Sequence, residues 1–266
     1  MPRRGTPQKY YDRIAHRYDS MYDSRYWDLY RRVTWEHTRP LLPRERSRIL
    51  DIGGGTGIWA LKLARAGHDV VCADISHQMV DQARARVEEA GLAGRVTCIH
   101  SDLQDLKEFA DREFGAVWAQ GDPLSYVADP GEALKQVARV LRPGGLFVAS
   151  VDNRFAGIGH FLERKDVAGL EQFLKTGQDE WLAERPEERF PVTFFTPDGL
   201  ETLLRRRGFE VISTIGKTVL PLRKHEALLE DPQEFRRLLD LETSLNRERA
   251  LWGGAGHLET AARLGG

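Results

Sequence analysis

The stretch Ile49-Leu50-Asp51-Ile52-Gly53-Gly54-Gly55-Thr56-Gly57-Ile58 decides how the rest of the chain is read. Its first half is a short apolar run of the kind that forms a strand buried on both faces, as in a parallel sheet. Its second half holds four glycines in five residues, a turn where a ligand can approach the backbone closely. Trp59-Ala60-Leu61-Lys62-Leu63-Ala64-Arg65 then has helical spacing, and Gly67 is placed to stop that helix. A strand, a glycine turn and a helix N-terminus with free N–H groups together make a cradle for a carboxylate or phosphate.

Two cofactor classes use such a cradle. Dinucleotide enzymes carry G-x-G-x-x-G after the strand and an acid about 20 positions on. From Gly53 that pattern fails, because Ile58 stands at the third glycine position. From Gly55 it runs Gly55, Gly57, Ala60, which a relaxed form tolerates, so the glycines alone do not decide. Asp51 bears on the choice: an acid two residues before the first glycine repels a pyrophosphate and suits a cofactor that carries an ammonium group.

Composition sets the outer bounds. The 266 residues suffice for one large domain or a domain with a cap. Apolar (41%) and charged (30%) fractions are those of a soluble globular protein, and no apolar run is long enough for a membrane span. Met1-Pro2-Arg3-Arg4-Gly5 lacks the apolar core of a signal peptide. The two cysteines, Cys72 and Cys98, sit in strand-like apolar runs and read as reduced core thiols, so a cytoplasmic location is expected. The net charge is −1, yet residues 1–48 hold twelve Arg/Lys against six Asp/Glu. That local +6 is read as a solvated helical face; attraction of an anionic partner is the alternative.

Residues 6–40 read as helical and aromatic, with six of the seven tyrosines. Tyr11, Ile14, Ala15 and Tyr18 share one helical face; Trp27, Tyr30 and Thr34 continue a second toward Pro40. Beyond the cradle, Asp69–Asp74 is a second buried strand ending in an acid that can bind ribose hydroxyls. Ser76 caps a helix over 78–91, Arg95–His100 is a third strand running into Ser101-Asp102-Leu103, and Phe114–Gln120 is a fourth. A loop, Gln120-Gly121-Asp122-Pro123-Leu124-Ser125-Tyr126, follows. Asp129-Pro130 then caps a helix over 131–141, and Arg142-Pro143-Gly144-Gly145 turns into a fifth strand, 146–151. Thr196-Pro197 opens a further helix to Arg207, and Phe209–Ile215 is a sixth strand. The repeated β-α-β pattern implies right-handed crossovers and a mostly parallel sheet, with ligands at its carboxyl edge. Asp51, Asp74 and Asp102 all fall on successive strands at that edge. Histidines are scattered without metal-ligand spacing, no metal site is expected, and no G-x-S-x-G elbow occurs.

The glycine stretch resembles motif I of class I S-adenosylmethionine (SAM) dependent methyltransferases. Tyr11-Asp12-Arg13-Ile14-Ala15-His16-Arg17-Tyr18-Asp19 resembles the "YDxxAxxYD" segment of small-molecule and quinone methyltransferases, and Leu141–Gly145 resembles their "LRPGG" turn. The resemblance covers about residues 10–152 and 196–215. It implies an α/β fold: a Rossmann-like, seven-stranded, mostly parallel sheet with helices on both faces and a helical cap. It implies SAM contacts from Tyr18, Asp51, Gly53, Gly54, Gly55, Thr56, Gly57, Asp74, Ile75, Met79, Asp102, Leu103 and Gln120, with S-adenosylhomocysteine as product. His257–Ala262 sits where the family's last, antiparallel strand belongs, though its alternation is poor.

The expected division is an aromatic lid (1–40), a SAM-binding core (41–152 and 196–266, with an insertion at 216–256, helical around 232–249) and a cap over the substrate site (153–195). The cap is aromatic (Phe155, Phe161, Phe173, Trp181) with a local charge of −2, which disfavours nucleic acid. The 120–126 loop lacks the N-P-P-Y motif of DNA amino-methyltransferases. A small-molecule methyl acceptor is therefore expected, with Tyr22, Tyr126 and Asn153 as pocket residues and no catalytic base identified. A tRNA or protein acceptor, an NAD(P)-dependent oxidoreductase and a SAM-binding regulator are the alternatives.

Overall fold

The computed structural model describes residues 5–181 and 185–266. Residues 1–4 of the expected lid and 182–184 of the expected cap lie outside the described residues. Two helices, α1 (Pro7–Met21) and α2 (Arg25–Thr38), precede β1 (Arg48–Ile52), α3 (Ile58–Arg65), β2 (Asp69–Asp74), α4 (His77–Glu89), β3 (Val96–His100) and β4 (Phe114–Ala119). A single helical turn, α5 (Pro123–Tyr126), occupies the segment read as a loop, and α6 (Pro130–Val140) and β5 (Leu141–Asp152) follow. The next segment holds α7 (Ile158–Glu163), α8 (Val167–Thr176) and a small hairpin of β6 (Gln178–Glu180) with β7 (Pro191–Thr193). The chain ends with α9 (Pro197–Arg206), β8 (Phe209–Lys217), α10 (Pro232–Leu245) and β9 (His257–Leu264).

Seven strands form one sheet in the order β3-β2-β1-β4-β5-β9-β8, parallel from β3 to β5 and antiparallel around β9. The period of two along β1 sends Leu50 and Ile52 to one apolar layer and Ile49 to the other. One layer is closed by α6 and α9 through Leu134, Val137, Leu200 and Leu204, the other by α3 and α4 through Leu63, Val80 and Val87. Burial on both faces is why these strands read as continuous apolar runs. The Arg142–Gly145 turn lies within β5: Leu141 pairs with Phe114 and Leu146 with Ala116, so the turn bulges out of the ladder. Several of the basic N-terminal residues are in ion pairs, including Arg13 with Glu188, Arg32 with Asp28 and Arg46 with Asp69.

β9 alternates poorly because Leu258, Glu259, Thr260, Ala261 and Ala262 are all buried. Glu259 is a fully buried charge between β5 and β8. Lys217 Nζ donates to its Oε2 at 2.8 Å, and His37 Nδ1 lies 2.7 Å from its Oε1. Burial alone would push this carboxyl up; Lys217 and His37 outweigh burial and bring it from about 4.5 down to about 2. Because the folded value is the lower one, the stability that Glu259 adds is full above pH 4.5 and is lost as pH falls toward 2. Lys217→Met leaves the buried carboxylate without its cation and with His37 alone, an expected loss of about 3–5 kcal/mol in urea unfolding. The double variant Lys217→Met/Glu259→Leu is expected to lose far less; equal losses would show that packing, not charge, sets the effect.

Candidate active site

Gly53, Gly55 and Gly57 have φ of 69°, 54° and 83°, in the left-handed region that only glycine enters without strain. A Cβ at Gly53 would lie 2.8 Å from Pro123, whereas one at Gly55 would meet nothing nearer than Tyr18 at 4.0 Å. The loop is therefore packed underneath and open above. Asp74, at the end of β2, accepts from Gly55 N (2.9 Å) and Ser76 N (2.8 Å), clamping the loop to the next strand. Burial pushes its carboxyl up to about 6, partly offset by those two N–H donors. Asp51 is more extreme. It is 1% exposed, and both its oxygens lack a hydrogen-bond partner of normal geometry. Burial, with Asp74 nearby, drives it up to about 8.

A cavity of about 390 Å³ opens above the loop, within the roughly 300–1,000 Å³ of small-molecule sites. It gathers Tyr18, Gly53, Gly55, Asp74, Ile75, Met79, Asp102, Leu103, Gln120 and Tyr126 from the residues singled out in the sequence. Among the described residues its only charged lining groups are Asp74 and Asp102. Gln120 Oε1 accepts from Lys217 Nζ at 3.0 Å, which leaves its amide Nε2, buried and without a partner, as a donor. Asp51, Gly54, Thr56 and Gly57 lie behind the wall rather than in it. Asn153 is a correction. It is fully buried, its Nδ2 donates to Trp252 O and Ala255 O and its Oδ1 accepts from Phe155 N, so it closes the end of β5 and faces no pocket.

Sequence reading missed how α1 is held across this cavity. Asp12 Oδ1 accepts from Ser76 Oγ (2.6 Å) and from Gln78 N (3.3 Å), adding to the cap of α4. Asp19 accepts from Thr56 Oγ1 (2.7 Å) and pairs with Arg86 of α4. The two aspartates are seven residues apart, hence on one helix face, and that spacing was the available signal. Above them Tyr11, Tyr18 and Tyr22 form a chain of ring contacts, and Tyr126 and Phe190 join it. Burial raises the phenols of Tyr11, Tyr18 and Tyr126, and that of Tyr22 to about 12. All four therefore stay neutral. Outside this lining Asp122, Asp152 and His257 converge beside Tyr30, a grouping the scattered sequence positions hid.

Residues 49–145 match the model of a methyltransferase domain family. A tRNA 5-carboxymethoxyuridine methyltransferase of Escherichia coli O157:H7 is 27% identical over 245 residues, 90% of this chain and 89% of its own. A ubiquinone biosynthesis O-methyltransferase of Dinoroseobacter shibae is 31% identical over 205 residues, 74% of this chain and 75% of its own. The chain is a class I SAM-dependent methyltransferase. The solved SAM-dependent methyltransferase of Mesorhizobium loti shares the fold, with a TM-score of 0.59 at 23% identity over 87% of this chain and 97% of its own. This excludes the NAD(P) oxidoreductase alternative. For this methyltransferase, Asp19→Ala frees α1 from Thr56 and Arg86. It is expected to weaken SAM binding about tenfold by calorimetry, with the core still folded, since removing such a side-chain anchor costs about 1–2 kcal/mol. Unchanged affinity would show that α1 does not hold the cofactor.

Proposed function

We propose that this methyltransferase acts on a small, uncharged, aromatic-sized acceptor, with SAM seated over the glycine loop. What carries the reading is the wall of neutral tyrosines and Phe190 on a cavity whose described lining bears no cation. Such a wall stacks against an apolar ring and offers nothing to phosphates, which need Lys or Arg contacts. The ubiquinone O-methyltransferase relatives support it. The tRNA methyltransferase relative favours a nucleic-acid acceptor, and the pairing of Arg13, Arg32 and Arg46 with acids weighs against that.

The fit to SAM rests on this chain's own groups. Asp74 keeps lone pairs for the ribose hydroxyls, Asp102 accepts from an adenine amino group beside Met79 and Leu103, and the open face at Gly55 admits the methionine part. Asp51, buried and unpaired behind the loop, biases the cradle toward a cationic amine. Tyr18 and the Gln120 amide border the methyl end. When bound, SAM supplies an electrophilic methyl on a sulfonium. The chain's task is then to align the acceptor behind that methyl and exclude water, to which α1 with Phe190 and Pro191 contributes by walling the cavity.

Asp74→Ala is expected to weaken SAM binding by about 1.5–3 kcal/mol, and Gly55→Val to abolish it. Normal binding in either variant would remove the cradle from the SAM site. The acceptor is tested by supplying radiolabelled SAM with substituted phenols and quinols, bulk tRNA or a protein extract. Transfer to a phenol or quinol is expected; transfer to tRNA or protein alone would overturn the proposal.

A further inference from the structure

Asp122 lies between Gly121 and Pro123, which line the cavity; Asp122, Asp152 and His257 stand outside that lining, with 8%, 14% and 21% of their side chains exposed. Its backbone is left-handed (φ 66°, ψ 30°), uncommon for a residue with a side chain. Ser150 Oγ accepts from Gly121 N and Asp122 N, and Ser125 N donates to Asp122 O at 2.8 Å, so the conformation is built in. It brings Asp122 Oδ2 to 3.4 Å from His257 Nε2, which is also 3.9 Å from Asp152 Oδ1. One atom from each of the three lies within 4.8 Å of the others. An oxygen above the plane of the three atoms could stand about 2.8 Å from each, a hydrogen-bond distance. Behind the converging atoms, Asp122 Oδ1 is buried without a partner, Asp152 is hydrogen-bonded by Ser125 and His257 by the Lys217 backbone. Buried polar atoms are normally satisfied, and the convergence of Asp122 Oδ2, Asp152 Oδ1 and His257 Nε2 makes a place for a hydroxyl.

We propose that Asp122, Asp152 and His257 seat the acceptor's own O–H group and that His257 takes its proton during methyl transfer. This rests on the small-acceptor reading above and names the acceptor class: a neutral hydroxyl compound, a phenol in an aromatic pocket. A carboxylate or phosphate acceptor would be repelled by the Asp122 carboxylate. In the step, the acceptor oxygen's lone pair forms the O–CH3 bond. The C–S bond breaks with its electron pair left on sulfur, and the O–H proton passes to His257 and then to water. The surroundings suit His257 to this. Burial lowers its affinity for a proton, so it waits neutral, with Lys217 and Arg223 acting the same way and Asp122 opposing. Asp152 is pushed well up by burial and by Asp122, and so resists ionising. Once protonated, the imidazolium lies beside Asp122, while Tyr30 packs edge-on against the ring. General bases of this kind contribute about 10²–10⁴-fold in rate.

The test uses 4-nitrophenol, whose anion absorbs in the visible, bound to the protein with sinefungin, a non-reactive SAM analogue whose amine stands in for the sulfonium. At a pH below the free phenol's pKa, the wild-type complex is expected to show a phenolate band at least about tenfold above that of free phenol. His257→Gln and His257→Asn are expected to bind sinefungin with wild-type affinity and to hold the phenol un-ionised. A phenolate band equal in wild type and both variants, or absent from all, would overturn the base while leaving the aromatic pocket in place. Loss of the band on adding EDTA would give the role to a metal ion and overturn it too. Failure of 4-nitrophenol to bind the wild-type complex at all would remove the phenol pocket itself, and the seat with it.

Discussion

One carboxylate sets the geometry on which this site depends. Asp74 accepts from the Gly55 and Ser76 N–H groups, so the loop after β1 and the start of α4 are registered to the end of β2. The loop can bend to meet it because Gly53 and Gly55 enter the left-handed region. With the backbone held this way, the cavity above has a floor without side chains. Asp51 and Asp74 are both driven up by burial, and two such shifted carboxyls side by side are typical of a ligand site.

A second buried charge connects the opposite half of the sheet to the same place. Lys217 joins Glu259 of β9 to Gln120 at the end of β4, and lies 4.3 Å from the centre of the Tyr30 ring. His257 and Lys217 are paired residues of β9 and β8. The antiparallel edge thus orients Gln120 and presents His257 beside the loop that carries Asp122.

The parallel half of the sheet was legible in the sequence because its strands are buried on both faces and its turns are marked by glycine, Asp-Pro and Thr-Pro. Asp74, Asp102 and Met79 line the cavity as their places at strand and helix ends implied. β9 was obscure because a buried ion pair broke its apolar alternation. Asn153 was misplaced because proximity to a strand end says nothing of where the amide points; here three backbone groups consume it. The Asp12 and Asp19 anchors were overlooked beside the tyrosines. The Asp122–Asp152–His257 group was invisible, since its members come from three separate segments, 30 and 105 residues apart in the chain.

The most direct measurement is a crystal structure of the protein with S-adenosylhomocysteine. The expected result is one molecule in the cavity, its ribose hydroxyls on Asp74, its adenine between Met79 and Leu103, and its sulfur toward Gln120 and Tyr126. A ligand reversed in the cavity, or seated away from the Gly53–Gly55 loop, would contradict the assignment of the site.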